Sequence, residues 1–316
     1  MLLLSAEETR EALAFPALIL ALDAMFRGSC VTPVRHHHTM EVPGEAAATL
    51  LLMPAWVPGA YSGVKLLNLF PDNHQRQLPT IFGQYLLSSA KTGEMLALID
   101  GGELTARRTA GTSALAADKL ARADAHTMLM VGTGRLSLNL IEAHAVTRPL
   151  ERFFIWGRDP DKAKAIAAEA QAAGFNATQV TDLKAAAETA DLISCATLSS
   201  EPLIKGEWLK PGAHVDLVGA FKPSMRESDD EAVRRASVFV DTHAGARTEG
   251  GDIVQPLASG VLKPDDILAD LADLVTGRHP GRSSPQEITL FKSVGAALED
   301  LAGAILAFET VNGHAT

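Results

Sequence analysis

Cysteine is nearly absent: Cys30 and Cys195 are the only two in 316 residues, too few for a disulfide framework and without the spacing of a metal site. Basic charge is also in short supply. With 38 acids against 28 Lys and Arg the formal charge is -10, which leaves no general basic face for non-specific nucleic-acid binding, although local charge still permits a small anionic ligand. Long apolar runs are missing as well. Phe15 to Leu22, the longest near the start, is too short to cross a bilayer and contains Pro16, and no basic region precedes it as a signal peptide requires. A cytoplasmic protein with no membrane partner is the expectation. His36-His37-His38 suggests a metal site, but a strand sends neighbouring side chains to opposite faces, so no metal is expected.

What is present is enough apolar material, 47% of residues, for two domains. The chain turns on Thr127-Met-Leu-Met-Val-Gly-Thr-Gly-Arg-Leu-Ser137, where an apolar strand stops at a glycine pair and a helical pattern begins. Gly132 permits a tight turn, Gly134 lets a pyrophosphate approach the backbone, and small Ser137 lets the helix pack close on its strand. The helix start then offers unpaired amides and a positive dipole end to phosphates. A strand precedes the turn, a helix over Leu136 to Val146 follows, and a second strand, Arg152 to Trp156, comes next. That context predicts dinucleotide binding.

Ahead of the turn, Ser5-Ala-Glu-Glu8 has capping-box spacing and Pro16 suits the first turn of a second helix, which Gly28 ends. From about Val31 to Asp100 come short β-rich runs, Thr49 to Trp56, Gly63 to Phe70, Thr80 to Ser88 and Met95 to Asp100, separated by turn formers; they read as an antiparallel meander. Its edges need covering, and pairing with a second copy of the chain, a homodimer, would do so. Thr105 to Leu120 reads as a helix with Thr105 as N-cap. Arg107 and Arg108 then fall in its first turns, against the dipole, a conflict that a bound anion relieves.

After the turn, Asp159-Pro160 starts a helix that runs to about Ala172, and strands follow at Thr178 to Thr181, Leu192 to Cys195, His214 to Val218, Val238 to Asp241 and Glu287 to Phe291. Strands alternating with helices predict an α/β fold, a doubly wound parallel sheet of Rossmann type beside the meander domain. A last helix, Gly295 to Val311, is expected to return to the first domain. The expected division is 1-120 with 290-316 as the substrate-binding and dimerisation domain, and 121-289 as the nucleotide domain.

In an open α/β sheet the ligand lies beyond the carboxyl ends of the strands. That rule selects Gly132, Thr133, Gly134, Arg135 and Leu136, then Arg158, Thr197, Val218 and Gly219 as cofactor contacts. Arg158 stands where a carboxylate would select NAD, and it can pair with the extra phosphate of NADPH, so NADPH is expected, with NADH a weaker alternative. Lys65 is a charge inside an apolar strand. It reads either as a side chain snorkelling to solvent or, with Arg35 and Arg108, as part of an anion site.

Pro33-Val-Arg35, Gly63-Val-Lys65-Leu-Leu-Asn-Leu-Phe-Pro-Asp-Asn73, Leu104-Thr-Ala-Arg-Arg108-Thr-Ala110, the glycine turn and Phe291-Lys-Ser-Val-Gly295 occur in one order over nearly the whole chain. Together they resemble the ornithine cyclodeaminase and mu-crystallin family. The resemblance implies a Rossmann domain plus a dimerising α/β domain built from both chain ends. It implies that Arg35, Lys65 and Arg108 hold a substrate carboxylate, with Lys65 and Arg108 around the reacting carbon, and that Thr109 belongs to the same site. The loop with Lys292 and Val294 matches one near the nicotinamide. Ornithine-deaminating members carry an aspartate shortly after the fifth strand, where this chain reads Val218-Gly-Ala-Phe221. It is therefore more similar to the branch that reduces cyclic ketimines, Δ1-pyrroline-2-carboxylate and Δ1-piperideine-2-carboxylate, to L-proline and L-pipecolate. The alternatives are an NAD-dependent ornithine cyclodeaminase and a non-catalytic NADPH-binding crystallin. The proton donor stays open among Asp216 and a water held by Thr109 or Lys65.

Overall fold

The computed structural model describes residues 1–313. The last three residues of the expected 290-316 segment thus lie outside the described residues. Two compact units are present: Met1–Arg108 together with the chain from Ala296 onward, and Thr109–Gly295.

The first unit carries a six-stranded sheet. Strands β2 (His36–Met40), β3 (Ala48–Trp56), β4 (Tyr61–Leu69), β5 (Ile81–Ser89) and β6 (Met95–Asp100) follow one another as an antiparallel meander. A short β1 (Leu2–Leu4), too brief to read in the sequence, joins β6 in parallel. Helix α1 (Ala6–Ala12) starts on the Ser5 and Glu8 capping box, and α2 (Phe15–Arg27) carries Pro16 in its first turn and ends at its C-cap Gly28. Side chains alternate across the strands, so Leu51, Met53 and Ala55, then Tyr85 and Leu87, then Ala97 and Ile99 share the buried face. The pairing Met53, Lys65, Tyr85, Ile99 puts Lys65 in the middle of one such apolar row. Gly63, one pleat away, makes room for the ring: a Cβ there would stand 2.4 Å from the Tyr85 hydroxyl. The final helix α11 (Ala297–Val311) packs on α2 and on this sheet.

Helix α3 spans Gly101–Leu120, four residues earlier than expected. The Asp100 carboxylate accepts the Glu103 amide at 2.6 Å and so caps it, whereas the Thr105 hydroxyl, the expected cap, donates to the Gly101 carbonyl inside the helix at 2.6 Å. Arg107 and Arg108 are therefore past the first turn, and the dipole argument for an anion falls away. Arg107 instead donates to the Leu13 carbonyl at 2.7 Å and lies over the Phe15 ring at 3.9 Å.

The second unit is an eight-stranded parallel sheet. Its strands are β7 (Thr127–Val131), β8 (Arg152–Trp156), β9 (Ala177–Gln179), β10 (Leu192–Cys195), β11 (His214–Leu217), β12 (Ala236–Val240), β13 (Ile267–Asp270) and β14 (Ile288–Lys292). Their spatial order is β13-β12-β14-β11-β10-β7-β8-β9. Strands β7, β10, β11 and β14 are buried throughout, as expected of central strands covered on both faces, and they carry buried polar residues such as Ser194, His214, Asp216 and Thr289 among apolar ones. Helices α4 (Leu136–Thr147), α5 (Pro160–Ala172), α6 (Leu183–Thr189), α7 (Asp230–Arg235), α8 (His243–Thr248), α9 (Gly251–Ser259) and α10 (Leu271–Thr276) join them. The sequence puts a domain border at 289/290; β14 inserts between β11 and β12, and this unit continues to Gly295. Among the described residues no helix is long and apolar enough to cross a membrane.

Candidate functional site

The glycine turn joins β7 to α4. Gly132 sits at φ +130°, where a Cβ would come within 2.6 Å of the Ala196 carbonyl oxygen, so both the angle and the close approach require glycine. At Gly134 a Cβ would meet nothing within 4 Å, leaving that backbone open to a ligand. Ser137 is buried and donates to the Gly132 carbonyl at 3.0 Å, tying the helix to the turn. Its N-cap Arg135 makes no side-chain capping bond, and of the first-turn amides that of Ser137 donates to the Gly134 carbonyl at 3.1 Å.

A cleft of about 540 Å³ opens here, walled by Gly132, Thr133, Gly134 and Gly157-Arg158 on one side and by Ala196, Thr197, Leu198 and Ser199 on the other. Gly157 lets the end of β8 lie against Thr133, since a Cβ would come 2.5 Å from the threonine methyl. Asp159 also borders the cleft, but its carboxylate accepts the amides of Asp161 at 3.0 Å and Lys162 at 3.4 Å, as expected of a cap. The Lys162 side chain lines the same cleft as Arg158, a second cation the sequence reading passed over because it stopped at the strand end. The volume and the open glycine backbone at a helix start fit a dinucleotide.

Of the other expected cofactor contacts, Val218 and Gly219 are buried at the end of β11 and Leu136 is half-buried in α4. The Lys292 side chain is fully buried, with Nζ 3.4 Å from Asp252 Oδ2. The Val294 amide, beside it, donates to Asp241 at 2.7 Å. Asp216, one of the proton donors left open by the sequence, is poorly suited to that role. It is buried and accepts from Ser113 at 2.8 Å and Ser194 at 2.6 Å, with His144 Nε2 at 3.3 Å. Burial alone would raise its pKa, but these partners, His144 foremost, hold it below the usual carboxylate value.

In the first unit, Lys65 and Arg108 are 1% and 5% exposed, which removes the snorkelling reading of Lys65. They meet through two carboxylates of α11. Lys65 Nζ lies 2.7 Å from Asp300 Oδ2; Arg108 donates through Nε to Asp300 Oδ1 at 2.8 Å and through Nη1 to Glu299 Oε2 at 2.5 Å. The expectation of bare cations awaiting a substrate anion is thus corrected to a cluster of two cations and two anions. Burial opposes the charge on Arg108, but Asp300 and Glu299 outweigh it and raise its pKa. Lys65 differs: burial and the neighbouring guanidinium outweigh Asp300, and its pKa drops to about 8. Arg35 is half-buried just before β2, and Thr109 is buried in α3 next to Arg108 in sequence.

Glu299 and Asp300 escaped the sequence reading because two acids at a helix start look like a solvated first turn. Glu227 escaped it too. It is fully buried and accepts from Thr197 and from the Gly219 and Ala220 amides. As for metals, His36, His37 and His38 are exposed on β2, with the rings of His36 and His38 6.4 Å apart. Among the described residues His243, Asp270 and Asp273 also lie close together, but Asp270 and Asp273 are engaged as the capping box of α10.

The sequence profile of the ornithine cyclodeaminase/mu-crystallin family matches residues 2–315. The protein SAR DEFICIENT 4 of Arabidopsis thaliana is 42% identical over 88% of this chain and 87% of its own. A Δ1-pyrroline-2-carboxylate reductase of Paracoccus denitrificans is 38% identical over 82% of each chain. The solved Δ1-pyrroline-2-carboxylate reductase of Thermococcus litoralis, in complex with NADH and L-proline, superposes with a TM-score of 0.92 at 33% identity, over 99% of this chain and 98% of that one. With its glycine turn, its buried Lys65 and Arg108 and a match along nearly its full length, this chain belongs to the ornithine cyclodeaminase/mu-crystallin family.

Proposed function

We propose that the protein reduces cyclic ketimines bearing a carboxylate on the imine carbon, Δ1-pyrroline-2-carboxylate and Δ1-piperideine-2-carboxylate, to L-proline and L-pipecolate, with NADPH as preferred cofactor. The class, a pyridine-nucleotide-dependent oxidoreductase, follows from relatives named as reductases and from one solved with NADH and L-proline. The first unit would bind substrate and pair two copies as a homodimer, and the second would bind the nucleotide.

The observation that carries the substrate reading is the buried cluster of Lys65, Arg108, Asp300 and Glu299. Its two acids occupy Nε and Nη1 of Arg108 and hold the guanidinium rigidly; in this reading Nη2 is the nitrogen that would meet the substrate carboxylate. The family resemblance implies that Arg35 and Thr109 would serve the same carboxylate. The ring nitrogen must carry a proton before the adjacent carbon accepts hydride, and Lys65, with a pKa of about 8, is charged at neutrality yet able to release a proton. The ammonium gives its proton to the imine nitrogen, the carbon–nitrogen double bond becomes single, and solvent water reprotonates Lys65. Reduced nicotinamide, when bound, supplies the hydride. Gly134 and the α4 amides would take its pyrophosphate, with Arg158 and Lys162 on the 2′-phosphate. Phe221, in place of an acid after β11, has no group to handle an amine or activate water, which disfavours ornithine deamination.

Two results are expected here. Replacing Arg158 by Asp should weaken NADPH by roughly ten- to a hundredfold, the worth of one charge-assisted bond, and NADH far less; equal losses would sink the assignment. Because Lys65 must be protonated to act, kcat/KM should fall as pH rises through about 8. That limb should vanish in a Lys65→Arg enzyme, whose remaining activity follows the substrate's own titration. An identical limb in both proteins would exclude Lys65 as the donor.

A further inference from the structure

The proposed reaction gives no task to Glu227, yet its side chain joins two separate loops. Oε1 accepts from the Thr197 amide at 2.7 Å and the Thr197 hydroxyl at 2.8 Å. Oε2 accepts from the amides of Gly219 at 2.7 Å and Ala220 at 3.2 Å. The loops after β10 and β11 are thereby drawn into backbone contact: a Cβ on Gly219 would stand 2.0 Å from the Thr197 carbonyl oxygen and 2.2 Å from its nitrogen. Next to Thr197, the Ala196 carbonyl packs on Gly132 of the glycine turn. Glu227 is itself held from behind, since its amide and that of Ser228 donate to Asp252 Oδ1 at 2.8 and 3.0 Å, while Asp252 Oδ2 lies 3.4 Å from Lys292 Nζ.

The chemistry of this arrangement is selective. Both loops present donors, so the group between them must accept at two ends and donate at neither, which only an ionised carboxylate does. Burying it without exposure is costly, and a loop contact needed for packing alone would not require a charge. We propose that Glu227 is a positioning residue for the nicotinamide nucleotide, fastening the Thr197 loop to the Gly219 loop so that the cleft wall is formed before the cofactor arrives. Preformed walls spare the ligand the cost of ordering them. The inference rests on reading the cleft as the nucleotide site.

Charged and titratable groups face Glu227 from three elements: Lys292 on β14, Asp252 on α9 and Cys195 on β10. Burial and Asp252 outweigh Lys292 and the Thr197 bonds and bring the Glu227 pKa to about 7. Protonation puts a donor against a loop that offers only donors, so the clamp should loosen as pH falls.

The test is nucleotide affinity, read from the fluorescence change on binding, for wild type and Glu227→Gln at about pH 8 and pH 6. The glutamine amide turns one end of the clamp into a donor. It should weaken NADPH and NADH by a similar factor of about ten at pH 8, as one lost buried hydrogen bond implies. For NADH, which has no phosphomonoester to titrate in this range, wild-type affinity should fall between pH 8 and 6, and the variant's should stay flat. Wild-type affinity in a folded Glu227→Gln protein, a loss confined to NADPH, or an unchanged pH profile would overturn the proposal. If that variant does not fold, Thr197→Val removes one donor to the same carboxylate and should weaken both nucleotides about threefold; no change overturns the proposal equally. Failure of the wild type to bind either nucleotide would instead overturn the reading of the cleft.

Discussion

Asp300→Ala should destabilise the protein by about 3–5 kcal/mol, the largest loss expected of any single replacement considered. Asp300 serves two buried cations, Lys65 at 2.7 Å and Arg108 at 2.8 Å. Once it is removed, Lys65 faces a guanidinium with no carboxylate of its own. Lys65 escapes part of that cost by releasing its proton, because its pKa already lies near 8. Arg108 has no such escape, and Glu299 alone must then hold it. Urea unfolding should therefore show a large drop in stability for Asp300→Ala, and a partial recovery in the double variant with Lys65→Met, which fills the row between Met53 and Tyr85 with an apolar side chain. A loss below about 1 kcal/mol, the range of exposed pairs, would mean that the cluster is solvated.

Arg108→Ala should lower turnover and raise the Michaelis constant for the ketimine together, by about 2–5 kcal/mol in kcat/KM, or at least thirtyfold. In the proposed reading two effects would add: the substrate carboxylate would lose a partner in a buried site, and its distance from the hydride donor would no longer be set. Arg108→Lys should keep only part of the activity, because an ammonium cannot bond Asp300, Glu299 and a substrate carboxylate in the fixed fork of a guanidinium. NADPH affinity without substrate should be nearly unchanged in both variants. A folded Arg108→Ala protein that reduces the ketimine at the wild-type rate would leave Arg108 a purely structural partner of α11.

How much of this was legible depended on whether the signal was local. The Ser5 and Glu8 box, Pro16 and the Asp159-Pro160 start are set by the backbone next to them, and α1, α2 and α5 begin where the sequence says. Helix α3 defeated the same method because Thr105 reads as its N-cap, whereas Asp100 caps it. Gly101 is there for a long-range reason, as a Cβ would come 2.6 Å from the Gly83 backbone. The three-residue β1 and the four-residue β13 carry too little pattern to be seen. Insertion of β14 between β11 and β12 is a matter of topology that no window of sequence contains.

In the candidate site the cations were conspicuous and their partners were not. Lys65 stands out because an apolar strand surrounds it, and Arg158 because it follows a strand end. Glu299 and Asp300 look like ordinary first-turn acids until the fold turns that helix face onto the sheet. Glu227 lies in a segment of mixed polar residues with no period, and only the meeting of two distant loops gives its carboxylate a purpose.

The most direct measurement is one assay in parallel arms: NADPH or NADH with Δ1-pyrroline-2-carboxylate, and NAD with L-ornithine, following nucleotide oxidation, L-proline and ammonia. The expected result is oxidation of NADPH matched by L-proline, slower reaction with NADH, and no ammonia from ornithine. Ammonia released from ornithine at a rate comparable to ketimine reduction, or nucleotide binding without turnover of the ketimine, would contradict the account.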